Sequence, residues 1–108
     1  MYQEVDISHF AAAHADGALV LDVREPHEYE SGHVPGARLI PLGVLAHRAT
    51  ELPKGHPIYV ICQSGTRSRH AAGLLHQLGH DVRSVLGGFA HWASAGHPVV
   101  RGTRANAG

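Results

Sequence analysis

Apolar and polar positions alternate along the chain in short blocks. Five runs, "EVDI" (4–7), "ALVLDV" (18–23), "ARLI" (37–40), "IYVIC" (58–62) and "VRSVL" (82–86), are separated by segments with helical spacing. Stretches as unbroken as "LVLDV" and "IYVIC" suit strands buried on both faces, as in parallel sheets covered by helices. The alternation predicts an α/β fold.

The segments between the runs predict five helices. Ser8 is expected to cap a short helix through about His14, with Asp16-Gly17 turning the chain back. "PHEYES" places Pro26 at a favourable first helical position and stops at Gly32. "LGVLAHRA" is the third helix. In the fourth, Ala71, Leu74, Leu75 and Leu78 fall at i, i+3, i+4 and i+7, with Gly79 as the C-terminal cap. The fifth, "FAHWASA", lies between Gly87-Gly88 and Gly96, and its Phe89 and Trp92 are expected to pack onto the sheet.

A length of 108 residues suits one domain, taken here as residues 1–100. The tail "RGTRANAG" (101–108) has little to bury and is expected to be disordered. Nine basic and nine acidic residues cancel, which argues against nucleic acid and against a polybasic membrane patch. No apolar stretch approaches the roughly 20 residues of a membrane span, and "MYQEVDISHF" lacks the basic-then-apolar pattern of a secretory signal, so the expected location is the cytoplasm.

A single cysteine excludes an internal disulfide and a cysteine-based zinc cluster. Among the eleven histidines, His76 and His80 have a four-residue spacing, but Gly79 intervenes and no third ligand is in register. Surface histidines are the better reading, and no metal is expected.

Cys62 stands where a buried strand ends, and "CQSGTRS" leads from it into the fourth helix. In open parallel sheets, ligands bind outside the carboxyl ends of the strands. Backbone N–H groups of such a loop converge with the helix N-terminus on whatever occupies it. Gly65 permits the tight curvature that turns several N–H groups inward as an anion-holding nest, and Arg67 adds a donor fork suited to oxyanions.

Lowering a thiol pKa from about 8.5 to about 6.5 raises the thiolate fraction at pH 7 from roughly 3% to roughly 75%. Intrinsic nucleophilicity then falls about eightfold at a Brønsted slope near 0.45, leaving a net gain of about threefold. Thiol activation alone does not account for so many donors. Stabilising a bound anion, or an anionic sulfur on Cys62, accounts for them better.

"CQSGTR", with "DVREPHEYESGHVPGA" (22–37) upstream and "VLGGFAHWASAGHPV" (85–99) downstream, resembles a single-domain rhodanese, a sulfurtransferase. The three blocks follow the family's order and spacing, from about Val5 to Val100. The resemblance implies an open parallel five-stranded sheet flanked by helices on both faces, with the active-site loop after the fourth strand. It implies that Cys62 takes the sulfane sulfur of thiosulfate or a related persulfide donor and holds it as a persulfide. Cyanide or a thiol then accepts it. Gln63, Ser64, Gly65, Thr66, Arg67 and Ser68 would stabilise that persulfide, with Arg67 on the donor's oxyanion end. No cofactor is implied, since the sulfur rides on the protein.

Two rivals remain. A persulfide relay or binding module, delivering sulfur to a partner protein, needs the same cysteine and loop. A cysteine-dependent phosphatase or arsenate reductase would use a CxxxxxR loop, whereas four residues separate Cys62 from Arg67, and no aspartate is placed as a general acid. Asp22 and Arg24 lie on the same rim and could orient the loop or the acceptor, although an ion pair fixing the strand-to-helix connection is the favoured reading. Arg69, in the first helical turn, is a further supporting candidate, although a solvent-facing side chain is the favoured reading. His33, Pro35 and Gly36 read as a turn, with His33 possible within reach of the rim.

Overall fold

The computed structural model describes residues 2–106. Its element order is β1 (Gln3–Val5), α1 (Ile7–Ala15), β2 (Leu19–Asp22), α2 (Pro26–Ser31), β3 (Arg38–Leu39), α3 (Leu42–Arg48) followed by a 3-10 turn (Ala49–Glu51), β4 (Ile58–Ile61), α4 (Thr66–Gln77), β5 (Val82–Val85) and α5 (Gly88–Ser94). The strands form one sheet in the order β1-β5-β4-β2-β3, with every pairing parallel.

Side-chain alternation divides the core between the two faces of the sheet. Leu21, Ile58, Val60, Cys62 and Val82 pack with Leu45 of α3 and with Ala71, Ala72 and Leu75 of α4. Val20, Tyr59, Ile61 and Val85 point the other way, onto Phe10 of α1, Tyr29 of α2 and Trp92 of α5. Phe10 and Trp92 meet edge to face at 5.3 Å, and the Trp92 indole donates to Pro98 O at 2.7 Å.

The strand order sets where a ligand can sit. From β2 the chain passes through α2 to β3 on one side, and from neighbouring β4 it passes through α4 to β5 on the other. Connections that diverge from adjacent parallel strands open a crevice beyond their carboxyl ends. The β2 and β4 ends are in register there, with Asp22 beside Ile61 and the Val23 N–H donating to Ile61 O at 3.0 Å.

Several local expectations are corrected. Asp6, not Ser8, caps α1: its backbone is extended and its Oδ1 accepts the His9 N–H at 2.8 Å, while Ser8 already lies inside the helix. In α4 the buried stripe is Ser68, Ala71, Ala72 and Leu75, and Leu78 is exposed because it sits at the C-cap, where the helix ends. Gly79 follows with φ +90°, the left-handed conformation of a residue just past a helix C-cap. His80, expected at the surface, is buried, and burial together with the Lys54 charge lowers its pKa.

Residues 101–106 of the tail expected to be disordered hydrogen-bond to the rest of the domain, and the last two residues of that tail lie outside the described residues. Val100 pairs with His33 in an antiparallel bridge, and the Gly102 N–H donates to Glu30 O at 2.8 Å. The buried His33 ring stacks on Tyr29 at 3.6 Å, with Nδ1 at 2.8 Å from Tyr29 O and Nε2 at 2.7 Å from Arg104 O. Gly36 N–H donates to Ala105 O at 2.8 Å. Composition missed this because the segment is held through backbone carbonyls, which any sequence supplies.

Deleting residues 101–108 should leave His33 Nε2 and the Gly36 N–H without these partners, at a cost of about 2 kcal/mol. For a domain of this size that lowers Tm by about 10 °C. A thermal melt followed by circular dichroism checks it, and an unchanged Tm would show that the segment adds nothing to the fold.

Candidate active site

Strand β4 delivers Cys62 to the crevice at 1% exposure. The loop that follows is held from outside by the start of α5. Phe89 N–H donates to Cys62 O at 2.8 Å and Ala90 N–H donates to Gln63 O at 3.0 Å. So close an approach requires Gly88, where an added Cβ would meet Cys62 O at 2.5 Å. Because the C=O and N–H of a trans peptide point in opposite directions, carbonyls drawn outward turn the following N–H groups inward.

The inward groups converge on the sulfur. Gly65, with φ +108°, brings its N–H to 3.0 Å from Cys62 Sγ. The Ser64 and Ser68 backbone N–H groups also favour the ionised form of the thiol. The Ser68 hydroxyl lies 3.7 Å from Sγ and donates to Gly65 O at 3.0 Å, and it accepts from the Ser84 hydroxyl at 2.9 Å. Burial is the largest single influence on the thiol and opposes its ionisation. The donors from Ser68, Gly65 and Ser64 together outweigh it, so the Cys62 pKa lies below the ordinary cysteine value.

The remaining sequence-predicted residues divide between framework and rim. Asp22 and Arg24 form a buried pair: Arg24 Nε and one terminal nitrogen reach the Asp22 carboxylate at 3.0 and 2.8 Å. Arg24 also donates to Gly32 O at 2.7 Å and to Gln63 Oε1 at 3.0 Å, and its guanidinium lies 4.6 Å over the Phe89 ring. The Gln63 side chain therefore ties the loop to the β2 end. Thr66 opens α4. Arg69 is half exposed, 4.0 Å from Glu4. The nitrogens of the His33 ring are taken by Tyr29, Arg104 and Ala105 carbonyls.

Arg67 departs from the expectation that it waits for a donor's oxyanion. Its two terminal nitrogens lie 2.6 and 2.8 Å from the two carboxylate oxygens of Glu28, on α2. Sequence reasoning read Glu28 only as part of a helix. It also missed Ser84, whose one sequence signal is a hydroxyl in the middle of an otherwise buried strand. Among the described residues no group of three or more His, Cys, Asp and Glu could hold a metal ion, and no helix is long and apolar enough to cross a membrane.

This combination of five-stranded parallel sheet and cysteine loop defines a known class. The family model of the rhodanese-like domain matches residues 8–95, and the chain belongs to that family. A protein of Allochromatium vinosum named sulfurtransferase is 34% identical over 103 residues, covering 93% of this chain and 96% of its own. The Bacillus subtilis protein YrkF, which carries a provisional sulfur-carrier name, is 46% identical over 74 residues, 68% of this chain. The chain spans 40% to 60% of the length of the Bacillus subtilis relatives it matches. The crystal structure of a rhodanese-related protein from Thermoplasma volcanium superposes with a TM-score of 0.87 at 33% identity, covering 92% of this chain and 98% of that one. The expected fold and family are both borne out.

The hydrogen bonds predict how the thiol responds to mutation. When the thiol ionises, the Ser68 hydroxyl turns its one proton from Gly65 O toward Sγ; a bond to a charged group is worth about 1.5–3 kcal/mol, or one to two pH units, and this long contact belongs at the lower end. Iodoacetamide alkylation of Cys62 should show a midpoint below that of free cysteine, moved up by about one unit in Ser68→Ala. Ser84→Ala should move it the same way by less, since it only polarises Ser68. Superimposable profiles would show that neither hydroxyl acts on the sulfur.

Proposed function

We propose that the chain is a sulfurtransferase in which Cys62 carries the sulfur. The observation that supports this best is the buried Cys62 sulfur in its loop, with the Gly65 N–H at 3.0 Å and a pKa lowered by the loop's N–H groups. Such a cradle suits a single anionic sulfur, and preorganised donors of this kind supply several kcal/mol in a dry site.

In the first half-reaction the Cys62 thiolate attacks the outer sulfur of the donor. With thiosulfate the S–S bond to the sulfonate breaks, a new S–S bond forms on Cys62, and sulfite leaves with the electron pair. In the second, cyanide or a thiol attacks the outer persulfide sulfur and Cys62 departs as thiolate. The two halves share one site, so ping-pong kinetics follow. Cys62 is the chain's one cysteine, so the acceptor must come from outside it. A reducing compartment such as the cytoplasm keeps that thiol free.

A relay role, in which the persulfide passes to a partner protein, uses the same first step, and the sulfur-carrier name of YrkF favours keeping it as the second reading. The phosphatase reading is weaker, because the carboxylates nearest the loop are engaged, Asp22 by Arg24 and Glu28 by Arg67. A general acid is therefore wanting at the place where a leaving group would need one.

Intact mass after incubation with excess thiosulfate, or with a small persulfide, tests the proposal. The protein should gain one sulfur atom that a reducing thiol removes, and Cys62→Ser should gain none. Sulfur uptake by the serine variant would mean that the carrier has been misassigned. Sulfur loading without turnover on cyanide or small thiols would favour the relay.

A further inference from the structure

The arginine that a dianionic donor would need is already occupied. Glu28 takes both terminal nitrogens of Arg67, at 2.6 and 2.8 Å, and the pair is only partly exposed. Glu28 is itself held in place: its Oε1 also accepts the Glu25 N–H at 3.0 Å, completing the start of α2. Hydrogen bonding to Arg67 holds the Glu28 carboxyl down at about 2, so it stays charged.

Of the other two arginines near the loop, one is paired as closely and the other stands opposite an exposed carboxylate without a hydrogen bond. Arg24 is buried against Asp22, and Arg69 lies 4.0 Å from Glu4. Arg67 is the one basic residue between Cys62 and Ser68. Three arginines thus face three carboxylates, and the Cys62 thiolate leaves the site with an excess negative charge. What remains unmatched is a set of neutral N–H donors.

Thiosulfate would bring two negative charges to a thiolate whose loop arginine is already paired with a carboxylate, and like charges at close range repel strongly in a partly buried site. A persulfide RSSH makes no such demand. The thiolate attacks its terminal sulfur, the S–S bond of RS–SH breaks, the new S–S bond forms on Cys62, and RS⁻ leaves with the electron pair. At most one negative charge is present on the transferred sulfur, and neutral N–H donors can hold it.

We propose that Glu28 is a specificity-determining residue that, by neutralising Arg67, turns the Cys62 loop away from dianionic thiosulfate and toward persulfides as sulfur donors. This rests on the persulfide chemistry proposed above for Cys62. It gives Glu28 a role in donor choice beyond its place in α2.

Glu28→Gln separates those two roles. A glutamine at this helix position still accepts the Glu25 N–H, so the cap survives while the charge goes and Arg67 is released. The measurement is kcat/KM for thiosulfate and for the persulfide of 2-mercaptoethanol, with cyanide as acceptor, at one ionic strength and with melting curves alongside. Wild type should favour the persulfide. Glu28→Gln should raise the ratio of thiosulfate to persulfide kcat/KM by about tenfold, chiefly through a lower KM for thiosulfate. A wild-type preference for thiosulfate, or an equal change for both donors in the variant, would overturn the proposal and leave Glu28 as framework.

Arg67→Gln and the double variant cover the case in which Glu28→Gln does not fold. With Arg67 gone, the bare Glu28 charge should lower the thiosulfate-to-persulfide ratio, and adding Glu28→Gln should restore it. A ratio that stays low in the double variant would assign Arg67 directly to the donor and overturn the role of Glu28. Failure of the underlying reading shows separately, as wild-type protein that gains no sulfur on Cys62 from either donor.

Discussion

The site depends on one close contact, between the backbone at the start of α5 and the carbonyls of Cys62 and Gln63. Gly88 lets that backbone come within a distance no side chain tolerates, and the Phe89 and Ala90 N–H groups then fix both carbonyls. With those two peptide planes set, the loop has little freedom left, and the left-handed turn at Gly65 completes the ring of N–H groups around Sγ. Two functions are met by one device. The first N–H groups of α5, which lack partners within their own helix, are satisfied, and the loop is preorganised before any donor arrives.

Beneath the loop, two buried polar groups hold it to the sheet from opposite sides. Toward β5, the Ser84 hydroxyl donates to Ser68 Oγ, which donates on to Gly65 O and lies 3.7 Å from the sulfur. Toward β2, the Asp22–Arg24 pair reaches both Gln63 and Gly32. Removing either member of such a pair strands a charge, at about 3–5 kcal/mol, although an apolar replacement of both can be as stable. The pair is better understood as fixing position than as adding stability. Arg24 links the α2 connection to the active-site loop, which keeps Glu28 and Arg67 in reach of each other.

Much of this was legible in the sequence because it is local. Unbroken apolar runs marked the strands, and a cysteine, a glycine and an arginine at fixed spacing marked the loop. What escaped depends on partners distant in sequence. Ser84 is an ordinary strand residue until folding places it against Ser68, sixteen positions away. Glu28 belonged to a block that was already singled out, yet nothing in its spacing shows that it meets a residue 39 positions on. The docked segment 101–106 is held through its backbone, which carries no sequence signature, and His33 turned out to be its anchor and not a rim residue. At Leu78 the apolar periodicity continued past the end of the helix, so the pattern predicted burial where the structure has solvent.

The charge balance of the rim bears on how the thiol is tuned. Hydrogen bonds from Ser68, Gly65 and Ser64, and not an unpaired cation, act to lower the Cys62 pKa. Salt screens exposed charges beyond about 8–10 Å but has little purchase on short bonds in a buried loop. A thiol lowered in this way keeps its reactivity as ionic conditions change, whereas a loop relying on a free arginine would lose part of its advantage to any abundant anion. Pairing Arg67 with Glu28 removes that competition at the mouth. Under the chemistry proposed for Cys62, the neutral donors are then left to hold a sulfur atom that carries at most a single negative charge.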